Sequence, residues 1–149
     1  MLERAYRHIK TMIVAVEIFK ALGDETRLRL INLFLQTEGN LCVCEMVFAL
    51  ELPQYQISKH LTILKNADML LSNRAGTWVY YHLDREKSPF LRDLFNILGQ
   101  QLGEIFTADV ERLRQRLELR KDDKCVVGFI PKEELKELIK VSCRSHRAP

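Results

Sequence analysis

The sequence predicts a mainly α-helical fold that includes one β-hairpin. Apolar residues recur at spacings of three and four through most of the chain, which is the period of an amphipathic helix. One segment departs from this period and alternates between two faces, which indicates paired strands. With 149 residues, of which 47% are hydrophobic, the chain is large enough to bury a core of its own.

Two helices are predicted before residue 40. Val14, Ile18 and Leu22 lie four apart on one helical face, and Gly23 ends that helix. Asp24 can accept hydrogen bonds from the free N–H groups that begin a second helix. The apolar stripe of this second helix consists of Leu28, Ile31, Phe34 and Leu35.

A short helix, a turn and a helix with a polar outer face are predicted next. The short helix runs from Cys44 to Leu50, and Pro53 can occupy the first position of the helix that follows. From Gln54 onward, apolar residues at helical spacing form the inner stripe, and polar residues lie off it. The inner stripe consists of Ile57, Leu61 and Leu64.

The remaining segments predict a hairpin, a long helix and a tail. Residues 70–74 and 78–83 alternate on either side of Ala75-Gly76, which is typical of a β-hairpin. Residues 89–119 are predicted to form a single helix whose apolar stripe is too wide for one small domain to cover, which favours a partner chain. We therefore assign residues 1–119 to the folded domain.

The last thirty residues are predicted to form a C-terminal tail, residues 120–149. The charged run at residues 121–124 is typical of a linker, and a short helix is expected after Pro131. The tail carries two of the four cysteines, Cys125 and Cys143.

This order of elements is the layout of a winged helix-turn-helix, whose second motif helix enters the major groove of duplex DNA. Amide and hydroxyl groups on that helix can bond base edges, Lys59 or His60 can meet phosphate, and Arg74 at the hairpin tip can reach the backbone or minor groove. A polar face that only meets water is the alternative for each of these residues. The candidate DNA-binding residues are Gln54, Tyr55, Gln56, Ser58, Lys59, His60, Thr62 and Arg74.

Four runs of the sequence resemble the ArsR/SmtB family of metal-responsive repressors. They are residues 19–30 (FKALGDETRLRL), 57–64 (ISKHLTIL), 67–70 (ADML) and 79–83 (VYYHL). Asp68 stands where the family often has glycine, and aspartate tolerates a left-handed turn better than most residues. The resemblance implies a homodimer, formed by the first and last helices, that represses its own operon until an effector binds.

The Cys42-Val43-Cys44 run is the most informative segment for chemistry. At the loop that enters a helix both sulfurs can turn toward one ion, and the helix N-terminus lowers the pKa of a thiol there. Two thiolates select soft, thiophilic ions over magnesium, calcium or manganese. The alternative is a pair of small buried hydrophobic residues. The run resembles the sulfur-rich box of the family's arsenite/antimonite sensors and cadmium/lead sensors, which implies that both cysteines are ligands.

A third ligand must come from another segment. Some of the family's arsenite sensors carry a further cysteine where this chain has Val47. The family's cadmium/lead sensors take ligands from an N-terminal arm, and that arm holds no cysteine here. Cys125 is the better candidate, since its linker can fold back onto its own box or the partner's; Cys143 is more remote. Three sulfurs suit As(III) or Sb(III), which keep a lone pair in the fourth direction, whereas zinc normally seeks four ligands. Cd(II) or Pb(II) is the alternative effector.

Other classes of protein are disfavoured by what the sequence lacks. The segment 89–119 contains no histidine or cysteine, so the family's zinc and persulfide sites on that helix cannot form. A thiol enzyme lacks support, because there is no glycine-rich phosphate loop and no Cys-x-x-Cys motif. A repressor of the same fold that senses thiol oxidation remains an alternative. We expect a cytoplasmic protein without a membrane span, in which the cysteines are reduced.

Overall fold

The computed structural model describes residues 1–145, which form seven helices and a three-stranded antiparallel sheet. The helices are α1 (Leu2–Leu22), α2 (Glu25–Thr37), α3 (Val43–Leu50), α4 (Gln54–Asn66), α5 (Pro89–Leu102), α6 (Thr107–Leu117) and α7 (Lys132–Ser145). The strands are β1 (Leu41–Cys42), β2 (Leu70–Ala75) and β3 (Trp78–Leu83). No helix in this part of the chain is both long and apolar enough to cross a bilayer.

The predicted boundary between the first two helices is confirmed. Helix α1 ends before Gly23, and the Asp24 side chain accepts a hydrogen bond of 3.0 Å from the backbone N–H of Arg27. This bond satisfies one of the N–H groups that have no partner within the first turn of α2. Only the last turn of α1 is buried, through Ile18, Ala21 and Leu22.

The helix-turn-helix follows the predicted pattern closely. Ile57, Leu61 and Leu64 of α4 are fully buried, so the predicted inner stripe is confirmed. The turn that precedes α4 begins at Glu51, whose φ of 55° places it in the left-handed region. Pro53 is the N-cap of α4 and not its first helical residue, a shift of one position from the prediction.

The predicted hairpin is present, and it carries a strand that the sequence did not reveal. Strand β2 pairs with β3, and Gly76 turns the chain at the tip with a φ of +61°. Strand β1 lies on the other edge of β3, where Cys42 is opposite Tyr80. A two-residue strand is too short to produce a recognisable alternation. Asp68, just before β2, has a φ of 58°, as its left-handed tolerance predicts.

The prediction of one long helix over residues 89–119 is wrong. The segment forms α5 and α6, which are separated by residues 103–106. Helix α5 packs on α2, whereas α6 packs chiefly on α3, so a straight helix could not cover both surfaces. Gly103 favours the break because glycine is a poor helix former. A Cβ at that position would lie 3.0 Å from the side-chain Nε2 of Gln36.

The tail packs against the rest of the molecule. The predicted linker is a tight turn in which Lys121 and Lys124 exchange backbone hydrogen bonds of 3.0 and 2.9 Å. The predicted terminal helix is confirmed as α7, which buries Leu135 and Ile139. These contacts bring the segment that follows α6 back to the start of α3.

Candidate metal centre and nucleic-acid interface

Three cysteine side chains meet at the start of α3. Cys42 is the N-cap of this helix, Cys44 lies in its first turn, and Cys125 follows α6. Their sulfur atoms all lie within 4.8 Å of one another, and the Sγ atoms of Cys44 and Cys125 are 3.5 Å apart. All three side chains are buried. Cys143 lies on α7, outside this cluster.

A buried carboxylate holds the first turn of α3 in place. Oε2 of Glu45 accepts a hydrogen bond of 2.8 Å from the backbone N–H of Cys42. The same carboxylate accepts two hydrogen bonds from Arg120, at 2.7 Å from Nε and 2.8 Å from Nη2. Arg120 Nη2 also donates to the carbonyl of Asn40. This network ties the segment that follows α6 to the residues that present Cys42 and Cys44.

Cys125 is positioned by the sheet. Its backbone N–H donates a hydrogen bond of 3.0 Å to the hydroxyl oxygen of Tyr80, which lies opposite Cys42 in the register of β1 and β3. Beyond Cys125, the chain approaches the aromatic ring of Trp78 at Gly128, where a Cβ would lie 3.0 Å from the ring. The strand that carries the wing therefore also fixes the third cysteine.

A buried arginine borders the three sulfurs. Arg116 is only 1% exposed, and its Nη2 donates to the carbonyl oxygens of Val127 and Gly128. The same nitrogen lies 3.6 Å from the Sγ of Cys44. Its Nε is buried and has no hydrogen-bond partner among the residues that the structure describes. A positive charge is thus held against the sulfur cluster from the side of α6.

The three sulfurs favour one shared negative charge. Hydrogen bonds from the Cys42 and Cys44 thiols, with a further contribution from the charges of Arg116 and Arg120, lower the pKa of Cys125 to about 3. The hydrogen bond with Cys125 raises the pKa of Cys44 to about 11, and the corresponding bond raises the pKa of Cys42. At neutral pH the cluster therefore consists of one thiolate and two thiols.

The three sulfurs form a group that could hold a soft ion. Thiolates bind soft metals in preference to hard cations such as magnesium. Bonds from sulfur to a metal such as zinc are about 2.3 Å long, so two sulfurs on one ion lie no more than about 4.6 Å apart. The 3.5 Å between Cys44 and Cys125 is within that limit.

The predicted DNA-binding residues lie on the outer face of α4 and on the wing. Gln54, Tyr55, Lys59 and Thr62 are exposed on α4, and Arg74 is exposed on β2. The half-buried members of the set are Gln56, Ser58 and His60.

Several polar groups of α4 already have partners within the protein. Nδ1 of His60 lies 3.2 Å from Nη1 of Arg27, so this ring joins α4 to α2. Thr62 donates a hydrogen bond of 3.0 Å to the backbone carbonyl of Ser58. Lys59 has an exposed side chain. Of the two residues predicted to meet phosphate, Lys59 is therefore the one whose side chain is exposed on the surface of α4.

Four residues of the cluster's surroundings were not predicted. Glu45, Tyr80, Arg116 and Arg120 have no distinguishing local pattern, because each reaches the cysteines through contacts between distant segments. The burial of Arg116 is the clearest case, since an arginine in an amphipathic helix is normally expected to face water.

A winged helix-turn-helix with an exposed polar second helix is the fold of many DNA-binding regulators. The family and the relatives of this chain identify a transcriptional regulator and not an enzyme. The family model for "Bacterial regulatory protein, arsR family" matches residues 24–71. The chain belongs to the ArsR family of transcriptional repressors, as its sequence resemblance indicates.

Two relatives support this membership, and one solved structure has a similar fold. The arsenic resistance transcriptional regulator ArsR1 of Pseudomonas putida is 46% identical over 108 residues, which cover 72% of this chain and 84% of that protein. ArsR2 of the same organism is 38% identical over 103 residues, covering 69% and 89%. The homodimeric winged helix-turn-helix DNA-binding domain of Mb0332 from Mycobacterium bovis has a TM-score of 0.54 and 23% identity, covering 66% of this chain and 85% of that one. This last likeness supports the fold.

Proposed function

We propose that this chain is a metalloid-responsive repressor that binds operator DNA as a homodimer and releases it when As(III) or Sb(III) binds Cys42, Cys44 and Cys125. One observation carries the proposal: sulfur atoms from two segments eighty residues apart converge within 4.8 Å in a buried site. The arsenic resistance regulators among its relatives support the choice of effector.

The charge and number of the donors favour a trivalent metalloid. Arsenous acid reacts with one thiolate and two thiols as As(OH)₃ + RS⁻ + 2 RSH + H⁺ → As(SR)₃ + 3 H₂O. The product needs no fourth protein ligand because the lone pair of arsenic occupies that direction. Cd(II) or Pb(II) is the alternative, and it would give a three-thiolate complex with one negative charge.

The DNA contacts are proposed for α4 and the wing. Each protomer inserts α4 into a major groove, where Gln54, Gln56 and the hydroxyl-bearing residues bond base edges. Lys59 and Arg74 contact the sugar-phosphate backbone or the adjacent minor groove.

Dimer formation is proposed through α1 and α5. Ile9, Met12, Ile13 and Val16 repeat at helical spacing on α1, and each of these apolar side chains is exposed. Phe19 of the same helix is exposed and packs edge-on against Phe90 of α5, and Ile97 of α5 is also exposed. A second copy can remove this continuous apolar surface from water, which stabilises a dimer.

The cysteine cluster lies close to α4, so an ion bound by the cysteines can alter the position of α4. Cys42, Cys44 and Trp78 line a cavity of about 500 Å³ that is also lined by Gln54, the first residue of α4. Lys132 forms an ion pair with Glu51, in the turn between α3 and α4. If one ion draws the three sulfurs together, residues next to both ends of this turn, Glu51 and Gln54, therefore shift as well. A coupling of about 1–3 kcal/mol, or roughly 5- to 150-fold in affinity, is sufficient for release.

The test is operator affinity with and without arsenite for single cysteine variants of the full chain. We expect Cys42→Ser and Cys44→Ser to bind operator normally and to ignore arsenite, and Cys125→Ser to respond weakly. Cys143→Ser is the matched control, because its side chain lies on α7 outside the cluster. If Cys42→Ser released DNA at the wild-type arsenite concentration, the sensing site would lie elsewhere.

Thiol oxidation is a second candidate signal, favoured by the 3.5 Å between the sulfur atoms of Cys44 and Cys125. Oxidation by a peroxide would join these sulfurs as a disulfide and remove two of the three proposed ligands. The arsenite assay is run with a reductant that keeps the thiols reduced, and the peroxide assay is run without it. Operator release by hydrogen peroxide but not by arsenite would support this function instead.

A further inference from the structure

We propose that Arg116 sets the ion selectivity of the three-cysteine site by favouring complexes that keep a negative charge. This inference rests on the proposed function, since it assumes that Cys42, Cys44 and Cys125 bind an ion together. The inference concerns the relative affinities of these three cysteines for different ions.

Arg116 is a buried cation that lies beside the sulfur cluster and has no carboxylate partner among residues 1–145. Its Nη2 contacts two backbone carbonyl oxygens and lies 3.6 Å from the Sγ of Cys44, and no carboxylate within residues 1–145 pairs with it. A buried charge needs a counter-charge because it has lost its hydration. Arg120, the other arginine near the cluster, already has the carboxylate of Glu45. The sulfur cluster is therefore the counter-ion of Arg116.

Ions differ in the net charge of the complexes that they form with three thiolates. Three thiolates on As(III) form a neutral complex, so its binding removes the negative charge next to the guanidinium. Three thiolates on Cd(II) form a complex with one negative charge, through Cd²⁺ + RS⁻ + 2 RSH → Cd(SR)₃⁻ + 2 H⁺, and the ion pair persists. The Arg116 charge thus raises the affinity for divalent ions relative to trivalent metalloids.

The effect is measured as the ratio of Cd(II) affinity to As(III) affinity in the reduced full chain. Two unit charges about 4 Å apart at an effective dielectric constant of about 20 correspond to roughly a thousandfold in affinity, and residual water reduces this toward tenfold. We therefore expect Arg116→Gln to lower the Cd(II)/As(III) ratio by about 10- to 1000-fold.

Three further variants separate charge from packing. Arg116→Lys keeps the charge and should keep the ratio within about threefold of wild type. Arg116→Met removes the charge with an apolar side chain of similar length, a replacement that buried ionic sites often tolerate, and should lower the ratio as Gln does. Arg114→Gln, an exposed position on the same helix, should leave both affinities unchanged.

Each outcome decides between the two proposals. Equal losses of both affinities in Arg116→Gln and Arg116→Met, or failure of both variants to fold by circular dichroism, would mean that Arg116 has only a structural role. A wild-type protein that binds As(III) but not Cd(II) would also overturn the inference and leave the proposed function intact. If the wild type bound neither ion, the proposed function itself would be wrong.

Discussion

Replacing Arg120 by methionine tests whether the network behind the cysteines holds α3 in place. Glu45 is fully buried, and its carboxylate accepts two hydrogen bonds from Arg120 and one from the backbone N–H of Cys42. Methionine keeps an unbranched apolar stem but removes the guanidinium. Of the donors within residues 1–145, the buried carboxylate would then keep only the backbone N–H of Cys42.

The expected cost follows from the burial of the two partners. Breaking a buried ion pair by removing one member costs about 3–5 kcal/mol, because the other charge is left without compensation. The Arg120 side chain is 11% exposed, so water can reach the vacated position. We therefore expect Arg120→Met to lower the free energy of unfolding by about 2–4 kcal/mol.

The assay is urea denaturation followed by circular dichroism, with Arg114→Met as the control. Arg114 is exposed on α6, the helix that ends just before Arg120, so its replacement should change the free energy of unfolding by less than about 0.5 kcal/mol. Adding Glu45→Gln to Arg120→Met should recover part of the loss, since the unpaired charge is then absent. A loss below about 1 kcal/mol in Arg120→Met would refute this account of the network.

Further predictions concern pH, DNA and assembly. Because the pKa of Cys125 is lowered to about 3 and that of Cys44 raised to about 11, As(III) binding takes up one proton and Cd(II) binding releases two. Between about pH 6 and 8, isothermal titration should therefore show As(III) affinity falling as pH rises and Cd(II) affinity falling as pH drops; the same sign for both ions would contradict the shared thiolate. Lys59→Ala should weaken binding to all duplexes and reduce its salt dependence, whereas Gln56→Ala should chiefly relax sequence preference, as mobility-shift assays at several salt concentrations can show. Ile13→Glu should yield monomers in sedimentation experiments, and a dimer of wild-type strength would exclude α1 from the interface.

Local patterns were sufficient to predict most elements. Gly23 and Asp24 define the boundary between α1 and α2 through capping, which involves only neighbouring residues. The stripe of α4 and the alternation of β2 and β3 depend on periodicity within one segment. The family resemblance, which extends over roughly residues 15–118, added the function that these elements serve.

The sequence by itself determined the winged helix-turn-helix, the polar outer face of α4 and the two cysteines at the start of α3, because each depends on residues close together in the chain. Only the tertiary structure decided that α5 and α6 separate at residues 103–106, since they pack on different helices. It also placed Cys125 3.5 Å from Cys44 and buried Arg116 beside them. Contacts between segments about seventy to eighty residues apart leave no local periodicity, so the composition and charge of the site emerge only when the chain folds.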